Sequence, residues 1–168
     1  LSDHPVDMLV GFSHLKVGSA IAGYFLGKGW QRLGIATGSD HRAMVRRDGF
    51  LSAGGRAVPT AVVHAPSSLE LGRRALGELL RQDATLEAIY CSSDQLAQGV
   101  LTEARVRGLR TPEDLAVCGF GDAAFAAHMD PSLTTVQVDG DAIGRIAARL
   151  IVERCRGQVV SQRVIDVG

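Results

Sequence analysis

No apolar run in this sequence approaches the roughly 18 residues that a membrane-spanning helix needs, and no signal peptide is recognisable within it. Net charge is absent too. Eighteen Lys and Arg balance eighteen Asp and Glu, which removes the electrostatic case for nucleic-acid or membrane-surface binding by this segment. No basic run, zinc-finger spacing or helix-turn-helix pattern stands out. Cysteine is scarce and odd in number: of Cys91, Cys118 and Cys155, two fall inside apolar strands. They read as reduced core thiols of a cytosolic protein in preference to a redox pair. The five histidines, His4, His14, His41, His64 and His128, lack metal-ligand spacing, and no G-x-S-x-G elbow occurs. They read as surface or turn residues, with His14 and His41 set apart because both lie at strand-end turns. No metal, cofactor or catalytic nucleophile is expected.

What is present is alternation of strands and helices. With 168 residues and 46% hydrophobic content, the chain can build a packed core as one domain or two small lobes. Val6–Val10 is a strand candidate, and apolar residues at Val17, Ile21, Ala22, Phe25 and Leu26 predict a helix over Leu15–Lys28. Leu33–Ala36 is a buried strand. Thr37–Asp40 is its carboxyl-end turn, where Ser39 or Asp40 can cap a helix over His41–Ala53 that carries Arg42, Arg46 and Arg47. A short strand at Ala61–Val63 precedes a helix opened by Pro66-Ser67-Ser68 and running to about Arg81.

Ala88–Asp122 organises the rest. Ala88–Cys91 is a strand, Ser92-Ser93-Asp94 can cap a helix that Gly108 stops, and Leu115–Phe120 is a second strand ending in Gly119-Phe120-Gly121-Asp122. This is one right-handed βαβ unit, so both polar turns lie on the same carboxyl edge of a parallel sheet, where ligands of open α/β sheets bind. A brief helix at Ala123–His128, a strand at Leu133–Val138, a long helix over Asp139–Arg156 and a strand at Arg163–Val167 complete a mostly parallel α/β arrangement.

Ser93, Asp94 and Asp122 are the first site candidates. Gly119-Phe120-Gly121-Asp122-Ala123-Ala124 also fits the dinucleotide pattern G-x-G-x-x-A, with Asp139 or Asp141 about twenty residues on. A tight strand-end turn is the better reading, because Asp122 places negative charge where a pyrophosphate would rest. Arg46 lies one turn inside a helix aimed at the same edge. It either holds a carboxylate or paired hydroxyls bidentately or lies on a solvated face, and periodicity leaves both readings open.

Six strings occur here in one order: Gly-Trp-Gln-Arg-Leu-Gly-Ile at Gly29–Ile35; Arg46-x-x-Gly49-Phe50; Ser93-Asp94-Gln95-Leu96-Ala97-x-Gly99; Gly108-Leu109-Arg110-x-Pro112-Glu113-Asp114-Leu115-Ala116-Val117; Gly119-Phe120-x-Asp122; and Asp130-Pro131-x-Leu133-Thr134-Thr135-Val136. Together, over nearly the whole chain, they resemble the effector-binding core of the LacI/GalR family of bacterial transcription regulators. The resemblance implies a type I periplasmic-binding-protein-like α/β fold, a mostly parallel sheet with helices on both faces, its C-terminal lobe complete and its N-terminal lobe truncated. It assigns 1–28 to a remnant of the N-terminal lobe, 29–136 to the C-terminal lobe, 137–157 to an N-terminal-lobe helix and 158–168 to a return to the C-terminal lobe. Hinge crossings are implied near Lys28–Arg32, Thr134–Val138 and Gly157–Val160, with the effector clamped between lobes.

The same resemblance implies a cytoplasmic homodimer that senses a small-molecule effector and reaches operator DNA only through a helix-turn-helix domain outside these residues. A chain opening on Leu1 within a loop reads as a fragment. Where the family usually has Asn-Asp, this chain has Ser93-Asp94, and where it has Gly-Tyr/Phe-Asp-Asp/Asn, this chain has Gly119-Phe120-Gly121-Asp122. Loss of one acid, with Lys16 near a cleft position, turns the site towards an anion. The strings GFSHLKVG, CSSDQLAQG and CGFGD resemble the gluconate-repressor branch. A sugar acid such as gluconate is the implied effector, read by Arg46 and Lys16 at its carboxylate and by Ser93, Ser13 and Asp122 at its hydroxyls, beside Asp94 and Phe120. The competing readings are a periplasmic sugar-binding protein of transport and a nucleotide-dependent oxidoreductase that uses the Gly119 turn.

Overall fold

Each apolar run of strand length and each amphipathic stretch becomes the element its period predicts. The computed structural model describes residues 5–55, 58–158 and 164–166. In chain order these form β1 (Leu9–Gly11), α1 (His14–Gly27), β2 (Leu33–Gly38), α2 (His41–Gly54), β3 (Thr60–Val63), α3 (Leu69–Gln82), β4 (Ala88–Cys91), α4 (Asp94–Val106), β5 (Ala116–Phe120), a 3-10 turn (Ala126–His128), β6 (Thr134–Val136), α5 (Gly140–Cys155) and β7 (Val164–Asp166). Short polar side chains start four of the helices. Asp40, Ser68, Ser93 and Asp139 each accept a hydrogen bond from the backbone N–H three residues on, at 3.0, 3.2, 3.3 and 2.8 Å respectively, satisfying a donor that the first turn leaves unpaired.

The larger of two compact units spans Leu15–Gln137. Its five strands are ordered β3-β2-β4-β5-β6 and every neighbouring pair is parallel. Because side chains alternate along a strand, Ala88 and Tyr90 of β4 face a core shared with α1 and α2, built on Ile21, Phe25, Ile35 and Phe50. Ile89 and Cys91 face the opposite core, with Leu76 and Leu79 of α3 and Leu96 and Val100 of α4. Strand order reverses direction between β2 and β4, so the crevice at their carboxyl ends is the place where doubly wound folds bind ligands.

In the other unit, which takes in the described parts of Leu1–His14 and Val138–Gly168, β1 pairs in parallel with β7 and α5 lies against β1. Arg154 donates to Asp7 at 3.3 Å.

The compact units divide differently from the expected lobe boundaries in two places. The helix over Leu15–Gly27 belongs with the larger unit and not with a segment ending at 28. Glycine is the reason. A Cβ on Gly18 would overlap the carbonyl oxygen of Arg46 and one on Gly49 would overlap that of Leu15, so these two glycines let α1 and α2 pack backbone to backbone. The divisions between the compact units fall at His14–Leu15 and at Gln137–Val138. The final strand does not return to the larger sheet: its ladder is with β1. Part of the expected crossing at Gly157–Val160, along with His4, lies outside the described residues. The brief helix at Ala123–His128 is only the 3-10 turn Ala126–His128, since Gly121 and Asp122 both take positive φ and break the chain direction before it.

Candidate functional site

Among the described residues, four polar or charged side chains are buried: Thr37, Arg46, Ser92 and Asp94. A buried polar residue is the informative departure in a core, and here all four belong to the ends of β2 and β4 or the helices that follow them. Thr37 is in the last turn-ward part of β2, Ser92 follows β4, and Asp94 opens α4. The Gly38 N–H donates to Ser92 Oγ at 2.9 Å, tying the two strand ends together.

Arg46 is 5% exposed, which excludes the solvated-face reading. Its Nε–H donates to the Tyr90 hydroxyl and its Nη2 to the Ser92 carbonyl, both at 3.1 Å. The guanidinium carbon lies 3.9 Å from the centroid of the Phe120 ring, an attractive cation–π geometry. Arg46 thus stands on the same rim as Ser92 and the end of β5. Burial drives the Tyr90 phenol above its ordinary range, opposed by the charge of Arg46, so the phenol stays protonated and accepts from the cation through its oxygen.

The other expected residues separate into distinct roles. Ser93 is half-buried and caps α4 through its Oγ. Asp94 is 3% exposed. Its Oδ2 accepts from the Ala123 N–H and its Oδ1 from the Thr135 hydroxyl, each at 2.6 Å. Asp122 is exposed, has φ 54°, and donates its N–H to Thr135 Oγ1 at 3.3 Å. Lys16 is exposed in the first turn of α1. Ser13 is half-buried and belongs to the smaller unit. The larger unit therefore brings together Arg46, Ser93, Asp94, Phe120 and Asp122 on adjoining strand ends.

Tyr90, Ser92 and Thr135 were not among the expected site residues. Tyr90 carries a faint signal, a hydroxyl in an otherwise apolar strand, and Ser92 stands in the polar turn already singled out. Thr135 carries none, because a Thr in a β-branched strand is ordinary.

The dinucleotide reading of the Gly119 turn fails on geometry. No α-helix begins at this turn, so no helix N-terminus is available for a pyrophosphate, and a Cβ on Gly119 would overlap Asp94 Oδ1. The glycine makes room for a carboxylate. Cys91 and Cys118 are both buried and free. Burial first and the nearby Asp94 charge after it push the Cys118 thiol up to about 12, and burial, then Cys118 and Asp94, raise Cys91 well above its ordinary value. Both thiols are inert at neutral pH. No group of three or more His, Cys, Asp or Glu among the described residues could hold a metal ion.

Comparison with known proteins agrees with this architecture. Residues 22–167 match the periplasmic binding protein-like domain family. The HTH-type transcriptional regulator GntR of Pseudomonas aeruginosa is 34% identical over 165 residues, covering 95% of this chain and 48% of the relative. The crystal structure of the transcription regulator GntR from Chromobacterium violaceum superposes with a TM-score of 0.90 at 32% identity, over 100% of this chain and 64% of that one. A transcriptional regulator CelR–cellobiose complex gives a TM-score of 0.81 at 26% identity, over 98% of this chain and 53% of the other. The chain spans about half the length of the curated relatives it matches, which are HTH-type transcriptional regulators and a repressor. The chain belongs to the periplasmic binding protein-like domain family and is similar to the matching part of GntR and other LacI-family transcription regulators.

Proposed function

We propose that the domain senses a small sugar acid of the gluconate type at the carboxyl ends of β2, β4 and β5, and that the bound effector controls operator binding by the full-length, homodimeric, cytoplasmic regulator. The observation that carries this reading is the buried guanidinium of Arg46, fixed by Tyr90, Ser92 and Phe120 at the switch between β2 and β4. A planar cation at a strand-end crevice suits a carboxylate, which it can meet with parallel N–H donors. Asp122 and the hydroxyl hydrogen of Ser93 are the partners proposed for ligand hydroxyls, with Lys16 assisting at the carboxylate. Sugar chemistry is supported by the relative crystallised with cellobiose. The regulator relatives favour this role over a solute-binding protein of transport.

No covalent step is involved. An effector switches such a protein only by binding one of its arrangements better than the other, and a tenfold difference corresponds to about 1.4 kcal/mol of coupling. Each hydrogen bond between an ionic pair contributes about 1.5–3 kcal/mol, so gluconate should outbind neutral glucose by about tenfold or more. Titration calorimetry of the full-length protein with the two ligands tests this. Equal affinities, or no binding of either, would remove the sugar-acid reading.

A further inference from the structure

Asp94 opens α4 beside the proposed site, yet its carboxylate faces the protein. Both oxygens are engaged, Oδ2 by the Ala123 N–H and Oδ1 by the Thr135 hydroxyl. A carboxylate at the first position of a helix is favoured by the macrodipole, and the side chain is almost fully buried. Gly119 is shaped to this arrangement, since any side chain there would displace Asp94 Oδ1 and stand 3.2 Å from Leu133 Cδ2. Three segments meet at one carboxyl group: the start of α4, the turn after β5, and β6.

That turn carries the residues that matter for recognition. Phe120 at its start lies against Arg46. Asp122 holds a left-handed φ of 54°, a conformation that costs a non-glycine residue energy and persists only where neighbours enforce it. Enforcement comes from both sides. The Asp122 N–H is bonded to Thr135 Oγ1, and the next residue, Ala123, is bonded to Asp94.

We infer that Asp94 and Thr135 are positioning residues for effector recognition and do not contact the effector: they clamp the Phe120–Ala123 turn, so that Phe120 orients the guanidinium of Arg46 and Asp122 points into the site. This deepens the sugar-acid reading and rests on it for the identity of the ligand. Asp94, expected from sequence as an effector contact, acts through the turn.

The test uses the full-length protein in two readouts. In calorimetry, Asp94→Asn, Thr135→Val and Phe120→Leu each weaken gluconate binding by about tenfold, as expected when a cation–π support is lost. Combining Asp94→Asn with Phe120→Leu weakens it no further than either alone, because the two act in series. Thr135→Ser, which keeps the hydroxyl, restores the affinity lost in Thr135→Val. Unchanged affinity in Asp94→Asn and Thr135→Val, or additive losses in the double variant, overturns the inference. If the unaltered protein does not bind gluconate, the proposed function has failed, and crystal structures of Asp94→Asn and Thr135→Val decide the clamp independently. Phe120 displaced from Arg46 supports it. Phe120 still stacked on Arg46, with Asp122 at positive φ, refutes it.

Discussion

Gly119→Ala tests the packing of Asp94 beneath the turn after β5. A Cβ at this position overlaps Asp94 Oδ1, and the carboxylate has no room to retreat because it is buried against Ala123 and Thr135. Either Asp94 swings away and both hydrogen bonds break, or the end of β5 moves and separates from β6. Hydrogen bonds to a charged group are each worth about 1.5–3 kcal/mol, so the loss of two amounts to about 3–6 kcal/mol, a large share of the stability of an ordinary domain. Gly34→Ala in β2 is the control. There the added Cβ meets side-chain carbons alone, the branch ends of Leu86 at 3.1 and 3.4 Å and Ile89 Cγ1 at 3.5 Å. These can yield, while alanine reduces the freedom of the unfolded chain by about 0.4–1 kcal/mol, leaving stability within about 1 kcal/mol of the parent. Urea unfolding followed by the fluorescence of Trp30, the single tryptophan, whose ring lies 5.6 Å from that of Phe25, reports on this unit. Gly119→Ala with a midpoint no lower than that of Gly34→Ala would refute the packing of Asp94 beneath the turn.

Three further outcomes follow from the same geometry. Ser93→Ala removes the α4 cap and costs about 1 kcal/mol, whereas Ser93→Asp keeps the cap but lacks the hydroxyl donor, so unfolding is near normal while calorimetry shows weaker gluconate binding. Of the three cysteines only Cys155 is exposed, so a thiol-reactive dye labels one site at once and the other two only after unfolding; rapid labelling of Cys91 or Cys118 would contradict the buried core. Hydrogen bonds from Arg110 hold the Asp114 carboxyl down to about 2, below its ordinary value. A depressed carboxylate stabilises the fold at pH values above about 4, and that contribution is lost as pH falls towards 2; Asp114→Asn should flatten part of this acid limb in pH-dependent melting.

The layers of the fold were legible because local chemistry and tertiary packing agree. Ala88–Cys91 is apolar apart from the Tyr90 hydroxyl, as a strand buried on both faces should be, and Ser68, Ser93 and Asp139 sit where a helix needs an acceptor. The assignment of α1 to a unit was not legible. That depends on Gly18 admitting the Arg46 carbonyl and Gly49 admitting that of Leu15, and a lone glycine in a helical pattern does not announce which neighbour it admits. At the site, the polar turns after β4 and β5 were readable from their position in a βαβ unit, and Arg46 from its place on α2. Roles were harder. Whether Asp94 faces ligand or protein turns on Thr135, a residue forty-one positions away, and no pattern within either segment encodes that partnership.

A crystal structure of the full-length regulator with gluconate tests the central claim most directly. The carboxylate of the sugar acid is predicted within about 2.7–2.9 Å of the guanidinium nitrogens of Arg46, with ligand hydroxyls towards Ser93 and Asp122. A carboxylate bound away from Arg46, with only hydroxyls or no ligand at the carboxyl ends of β2, β4 and β5, would contradict it.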